Sequence, residues 1–173
     1  MIIIQTDRLL LRELELTDDN FILELLNEPS FLRHIGDKGV RTSSDARDYI
    51  RQGPIHSYVR NGFGLYLTAL HDGTPLGICG LVKREALVDP DVGFAFLSRH
   101  HLQGYAAEAA AAVVAHGWQA LNLQRIVAIT SPDNVGSIAV LEKIGLKFEA
   151  MTRLADDSAA LKLFATARPG NAT

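Results

Sequence analysis

Two stretches of the chain hold residue types at spacings suited to chemistry. The first runs Asp91-Val92-Gly93-Phe94-Ala95-Phe96-Leu97-Ser98-Arg99-His100-His101-Leu102-Gln103-Gly104-Tyr105-Ala106-Ala107-Glu108-Ala109. An apolar strand ends near Leu97, a short polar loop follows, and helix formers begin at Gly104 to Ala106. A junction of this kind presents backbone N–H groups without intrahelical partners at the positive end of a helix, which suits a phosphate. Gly104 lets the main chain come close, and Ala106 keeps the first turn uncrowded. Glycine also opens many ordinary helices, so this stretch alone leaves both readings open.

The second stretch is Asn134-Val135-Gly136-Ser137-Ile138-Ala139-Val140-Leu141-Glu142-Lys143-Ile144-Gly145. Asn134 can cap a helix, with Ile138, Leu141 and Ile144 as its core stripe and Gly145 as its C-cap. Taken by themselves, Asn134 and Ser137 need do no more than start that helix. Cys79 is the single cysteine, so an intrachain disulfide and a cysteine-based metal cluster are excluded. The six histidines are scattered without ligand spacing, and no metal site is expected.

The elements that must position these residues follow from periodicity. Leu9 to Leu16 reads as a strand, and Asn20 to Asn27 as a helix capped by Thr17 or Asp18 and ended by Pro29. Ser43 or Ser44 caps a second helix, interrupted at Gly53-Pro54, with Pro54 free to open a short segment reaching Val59. Phe63 to Leu70, Pro75 to Lys83 and Val88 to Leu97 form an antiparallel meander, turned at His71-Asp72-Gly73-Thr74. Ala106 to Leu123 is a long alanine-rich helix. Arg125 to Thr130 and Leu146 to Met151 are strands around the Asn134 to Ile144 helix, a spacing that predicts a βαβ crossover of a parallel pair. Leu161 to Ala167 is the last strand. The fold class is therefore α/β, a mixed sheet flanked by helices, with residues 1–168 as one domain and 169–173 as a tail.

Composition narrows the function classes. At 173 residues, 47% apolar and 21% charged, the chain matches an ordinary globular domain. The formal charge of −3 gives no case for general nucleic-acid binding, and mildly suits cationic acceptors. No apolar run approaches a membrane span. Ile2 to Ile4 followed by Asp7 and Arg8 reads as a strand rather than a leader, and with the lone cysteine this predicts a cytoplasmic protein. Asn171-Ala172-Thr173 fits the glycosylation pattern by chance.

The two stretches, with Thr6-Asp7-Arg8-Leu9-Leu10-Leu11-Arg12 before them, resemble the Gcn5-related N-acetyltransferase (GNAT) superfamily. The likeness is to its ribosomal-protein alanine N-acetyltransferase branch in particular, and it covers nearly the whole chain. It implies a mostly antiparallel sheet splayed at a cofactor wedge, and acetyl-CoA as cosubstrate. Backbone amides from His101 through Leu102, Gln103, Gly104 and Tyr105 to Ala106 would hold the pyrophosphate. Phe94, Ala95, Phe96 and Leu97 would pair with the pantetheine arm beside Arg125 to Thr130. Asn134 would contact that arm, and Ser137 would sit near the sulfur. The family usually has glutamine or arginine in place of His101, and often glycine in place of Leu102. Both changes leave the backbone amides in place.

Acetyl transfer to an amine needs an unprotonated nucleophile, a stabilised oxyanion and a proton for the departing thiolate. Many relatives supply that proton from a late tyrosine. Here Tyr49, Tyr58, Tyr66 and Tyr105 all precede Gly145, and the resemblance passes the role to Ser137. Asp91 is the first choice for a base acting through water, ahead of Glu13 and Glu85. His100 and His101 fall on the cofactor side, Glu108 is structural, and Cys79 is a buried strand residue. The acceptor is a primary amine. A peptide or protein α-amine is favoured over an aminoglycoside, polyamine or amino acid, and a non-catalytic acyl-CoA-binding module is the rival from another class. The acceptor site would draw on the first two helices, the Asp37 to Ser44 loop and the Leu154 to Ala159 loop. A homodimer is compatible with all of this.

Overall fold

The structure, a computed structural model, describes residues 1–170. The Asn171 glycosylation pattern and the end of the expected tail lie outside the described residues. Eight strands form one sheet: β1 (Ile2–Gln5), β2 (Leu9–Arg12), β3 (Leu65–Leu70), β4 (Pro75–Val82), β5 (Asp91–Phe96), β6 (Arg125–Thr130), β7 (Lys147–Thr152) and β8 (Leu161–Ala167). Their spatial order is β1-β2-β3-β4-β5-β6-β8-β7. Every neighbouring pair is antiparallel except β5 and β6. The helices are α1 (Asp19–Leu26), α2 (Pro29–His34), α3 (Ser43–Ile50), α4 (His56–Asn61), α5 (Tyr105–Gln119) and α6 (Val135–Lys143). No helix among the described residues is long and apolar enough to cross a membrane.

Several expectations need correction. The βαβ spacing around α6 predicts β6 and β7 side by side, but β8 inserts between them and pairs antiparallel with both. The parallel pair is β5–β6, and its crossover is α5. Pro29 does not merely end α1: it is the first residue of α2, where its missing N–H costs nothing and its fixed φ favours the helix. The chain from Ser43 to Asn61 stays helical through Pro54, because residues 51–55 widen into a π turn that needs no donor there. The α3 cap is Thr42 rather than either serine, its Oγ1 accepting the Asp45 N–H at 3.0 Å.

Alternation along the strands sends side chains to two layers. On one face Leu9, Leu11, Tyr66, Val92, Phe96 and Ile126 pack with α5 and α6, through Ala109, Ala110, Val113 and Leu141. On the other, Leu67, Ala69, Ile78 and Leu97 pack with Ile22, Leu25, Phe31, Ala46 and Ile50 of α1 to α3. Each fully buried leucine or isoleucine contributes about 1.5–3 kcal/mol relative to exposure. Alanines on the buried side of α5 let that helix lie close over β4 and β5, which fixes where its N-terminus points.

Candidate active site

β5 and β6 pair only at their beginnings. Asp91 opposes Val127, whose N–H donates to the Pro90 carbonyl at 3.0 Å, and no register continues beyond it. The strands then part. The Leu97 N–H bonds the Leu76 carbonyl of β4 at 3.0 Å, so odd-numbered residues of β5 direct their backbone groups to β4. Even-numbered Phe94 and Phe96 direct theirs into the gap, where β6 no longer meets them. A cavity of about 740 Å³ occupies this gap and passes through the sheet. Its walls include Phe94, Phe96, Tyr105, Ala128 and Val140 on the α5–α6 side, and Phe31, His34, Lys38 and Tyr49 on the α1–α3 side.

The loop after β5 is shaped to hold an anion. Leu102 and Gly104 both take left-handed backbone angles, with φ of 62° and 83°. Gly104 is the N-cap of α5, whose first N–H groups have no intrahelical acceptors. The positive φ at Leu102 is one that glycine would adopt without strain. A network from the other end of the chain braces this loop. Arg8 donates from Nη1 to the Gln103 carbonyl at 2.9 Å and from Nε to Glu108 Oε1 at 2.7 Å. Its guanidinium lies 4.6 Å from the centre of the Tyr105 ring. Thr6 Oγ1 donates to Glu108 Oε2 at 2.6 Å. Desolvation pulls the Glu108 carboxyl upward, but hydrogen bonds from Thr6 and Arg8 outweigh it and leave the group below its ordinary range.

On the opposite face Asp91 is buried, only 1% exposed, with Arg84 Nε donating to its Oδ1 at 3.0 Å. Desolvation dominates there: it raises the Asp91 carboxyl above its ordinary value against the opposing charge and hydrogen bond of Arg84. Asn134 Oδ1 caps α6 by accepting the Ser137 N–H at 3.1 Å. The Ser137 hydroxyl lines the cavity and makes no hydrogen bond with any described residue. His34 Nδ1 and His100 Nε2 are also buried beside the cavity without a hydrogen-bond partner among the described residues. Among the described residues no group of His, Cys, Asp and Glu is placed to hold a metal.

Residues 8–147 match the model of the acetyltransferase (GNAT) domain family. The chain belongs to that family. It is 30% identical over 147 residues to YnaD, an uncharacterized N-acetyltransferase of Bacillus subtilis strain 168, across 84% of this chain and 83% of that one. In fold it is similar to a GNAT-family acetyltransferase from Bacillus anthracis, at 24% identity and a TM-score of 0.79, covering 96% of this chain and 98% of the other. The same holds for the coenzyme A complex of RimL, a ribosomal L7/L12 α-N-protein acetyltransferase, at 18% identity and 0.82, with 96% and 98% covered.

As a GNAT member the chain is an acetyltransferase with acetyl-CoA as donor, and the cavity fits that donor. Its apolar walls could hold the pantetheine arm, the backbone of Phe94 that faces the gap could pair with it, and the α5 amides could hold the diphosphate. Phe94, Ala95, Phe96, His101, Leu102, Gly104, Tyr105, Ala106, Asn134, Ser137 and Asp91 all line it. Leu97 does not: its side chain is fully buried among α1–α3 and its N–H belongs to β4. Gln103 does not either: it is exposed, with its carbonyl taken by Arg8. His101 Nε2 lies 2.9 Å from the Phe96 carbonyl, so that ring shapes the wedge edge. Glu13 and Glu85 lie off the cavity. Reading the sequence missed His34, Lys38, Tyr49 and Arg84. The first lies on α2, which was hidden behind Pro29. The others carry no local signature.

Proposed function

We propose that this acetyltransferase moves the acetyl group from acetyl-CoA directly to a primary amine, and that its favoured acceptor is a peptide or protein N-terminal α-amine. The reading includes the cofactor and catalytic assignments made above apart from Leu97 and Gln103, and takes residues 1–168 as one catalytic unit, in keeping with a sheet that runs from Ile2 to Ala167. A cytoplasmic setting goes with it, since Cys79 is a buried free thiol. The observation that carries the proposal is the unengaged Ser137 hydroxyl on one side of an opening whose other side holds Asp91.

The proposed step needs no covalent enzyme intermediate. The amine nitrogen attacks the thioester carbonyl, forming the N–C bond and pushing an electron pair onto oxygen. That pair returns as the C–S bond breaks. The departing thiolate takes a proton from Ser137, which regains one from solvent, and the proton lost by nitrogen leaves through water toward Asp91. A carboxyl raised by burial is a better proton acceptor than an exposed one. An α-amine, with an ordinary pKa near 7.7–8.0, needs little more help than that, whereas a lysine side chain near 10.4 needs far more. The resemblance to the ribosomal-protein branch favours the same acceptor, as does a cavity extending to His34 and Lys38 on one flank and Leu154 on the other.

Release of free coenzyme A across short peptides with different first residues, small amines and aminoglycosides tests the proposal. Peptide turnover should lead, and the rate should fall as pH drops below the pKa of the acceptor. Turnover confined to polyamines or aminoglycosides would replace the acceptor while keeping the donor site.

A further inference from the structure

Building on the amine-transfer reading above, we propose that the acceptor carries a carboxylate near its reactive amine, and that Lys38 and Arg84 select it. The whole chain is acidic, with a formal charge of −3, yet the acceptor side of the cavity has the opposite sign. Period-2 alternation puts Val92, Phe94 and Phe96 on the α5–α6 face and leaves Asp91 on the α1–α3 face with Ala95 and Leu97. The charged and titratable groups lining the cavity on that side include Asp91, Arg84, Lys38, His34 and Tyr49. Among the described residues Asp91 is the only carboxylate in the lining. It is already engaged by the Nε of Arg84 at 3.0 Å.

That leaves Lys38 uncompensated: it forms no ion pair and no hydrogen bond with any described residue. Its ammonium is held below its ordinary range, first by desolvation and then by repulsion from Arg84. Two cations that repel across a cavity with one spent carboxylate lower the energy of a second anion entering between them. The phosphates of the donor do not answer that demand, because their amides lie at the start of α5 on the other face of the sheet. A polyamine or aminoglycoside would add a third like charge. A free α-amino acid and a peptide with an acidic residue beside its N-terminus share the chemistry that fits.

The test measures kcat/KM for the full chain with acetyl-CoA on matched acceptors, compared per unprotonated amine. One arm sets free amino acids against their amides. The other sets C-terminally amidated peptides with Glu, Gln or Lys at the second position against one another. The carboxylate member should exceed its neutral twin by about tenfold in one arm, and that arm names the source. Lys38→Gln should bring the ratio toward one, and Lys38→Glu should turn preference to the lysine peptide. Equal rates for carboxylate and amide twins in both arms would overturn the proposal, as would a cationic acceptor leading in the wild type. A ratio unchanged in Lys38→Gln would do so too. If acetyl-CoA binds and no amine releases coenzyme A, the amine-transfer reading falls, and this proposal with it.

Discussion

An arginine–carboxylate pair lies on each side of the sheet, and the two carboxyls are shifted in opposite directions. Glu108 on the α5 face receives hydrogen bonds from Thr6 and from Arg8, and these hold its carboxyl low. Asp91 on the other face is more deeply buried and has one partner, Arg84, so desolvation wins and its carboxyl is raised. Charge pairing alone therefore does not fix a carboxylate's behaviour; the number of donors set against the lost water does. A lowered Glu108 carboxyl, held by Thr6 and Arg8, makes a static brace for the loop ahead of α5. The raised carboxyl of Asp91 makes it the stronger proton acceptor of the two.

The sharpest way to break this contrast is to remove the one hydroxyl that the proposed mechanism uses. Ser137→Ala should lower kcat by about 100-fold while leaving acetyl-CoA affinity nearly unchanged, since the interaction strengthens only as thiolate develops. Stopped-flow turnover alongside calorimetry separates the two quantities, and equal kcat in mutant and wild type would remove Ser137 from the chemistry. Gly104→Val comes next. The backbone there has φ of 83°, and an added Cβ would lie 3.2 Å from Arg8 Nη2. Acetyl-CoA should bind about 30-fold more weakly, a loss of about 2 kcal/mol. Calorimetry at wild-type stability decides it.

A smaller effect is expected at the brace. Arg8→Ala frees the Gln103 carbonyl and Glu108 together and should raise the KM for acetyl-CoA about fivefold with little change in kcat, the pattern of lost ground-state positioning. A fall in kcat of the same size would mean that Arg8 reaches the reacting atoms.

How much of this was legible beforehand differs between the same two faces. The α5 face was largely readable because its site is local in sequence: a strand, a left-handed glycine and a helix start within Phe94 to Ala106, and an asparagine three residues before a serine. Backbone does the work there, and backbone geometry follows from short-range pattern. The brace was not readable, because Arg8 and Glu108 are 100 residues apart in sequence. The α1–α3 face was legible only in outline. Pro29 can stop one helix or start another, and only packing of Phe31 against Leu25 and Val40 decides it. Lys38 and Arg84 come together through tertiary placement of two loops. Strand order failed for the same reason: the periodicity around α6 reports that β6 and β7 run the same way, but not that β8, the last strand, slides between them.

The mildest prediction tests the contrast itself through stability. Glu108 has a lowered folded-state carboxyl against an ordinary value of 4.5, so its stabilisation is present above that value and is lost as pH falls through the folded one. Asp91 has a raised folded-state carboxyl against 3.8, so its contribution is intact below 3.8 and is lost as pH climbs through the higher folded value. Both act in the acid range with opposite sign. Urea midpoints taken from pH 3 to pH 7 should then diverge for two neutral substitutions. The cost of Glu108→Gln, about 1–2 kcal/mol near neutrality for the lost charged hydrogen bonds, should grow as pH rises. The cost of Asp91→Asn should shrink over the same interval, because the wild type loses the stabilisation that the variant never had. Parallel curves for the two variants would mean that both carboxylates titrate alike, and the physical distinction between the two faces would be gone.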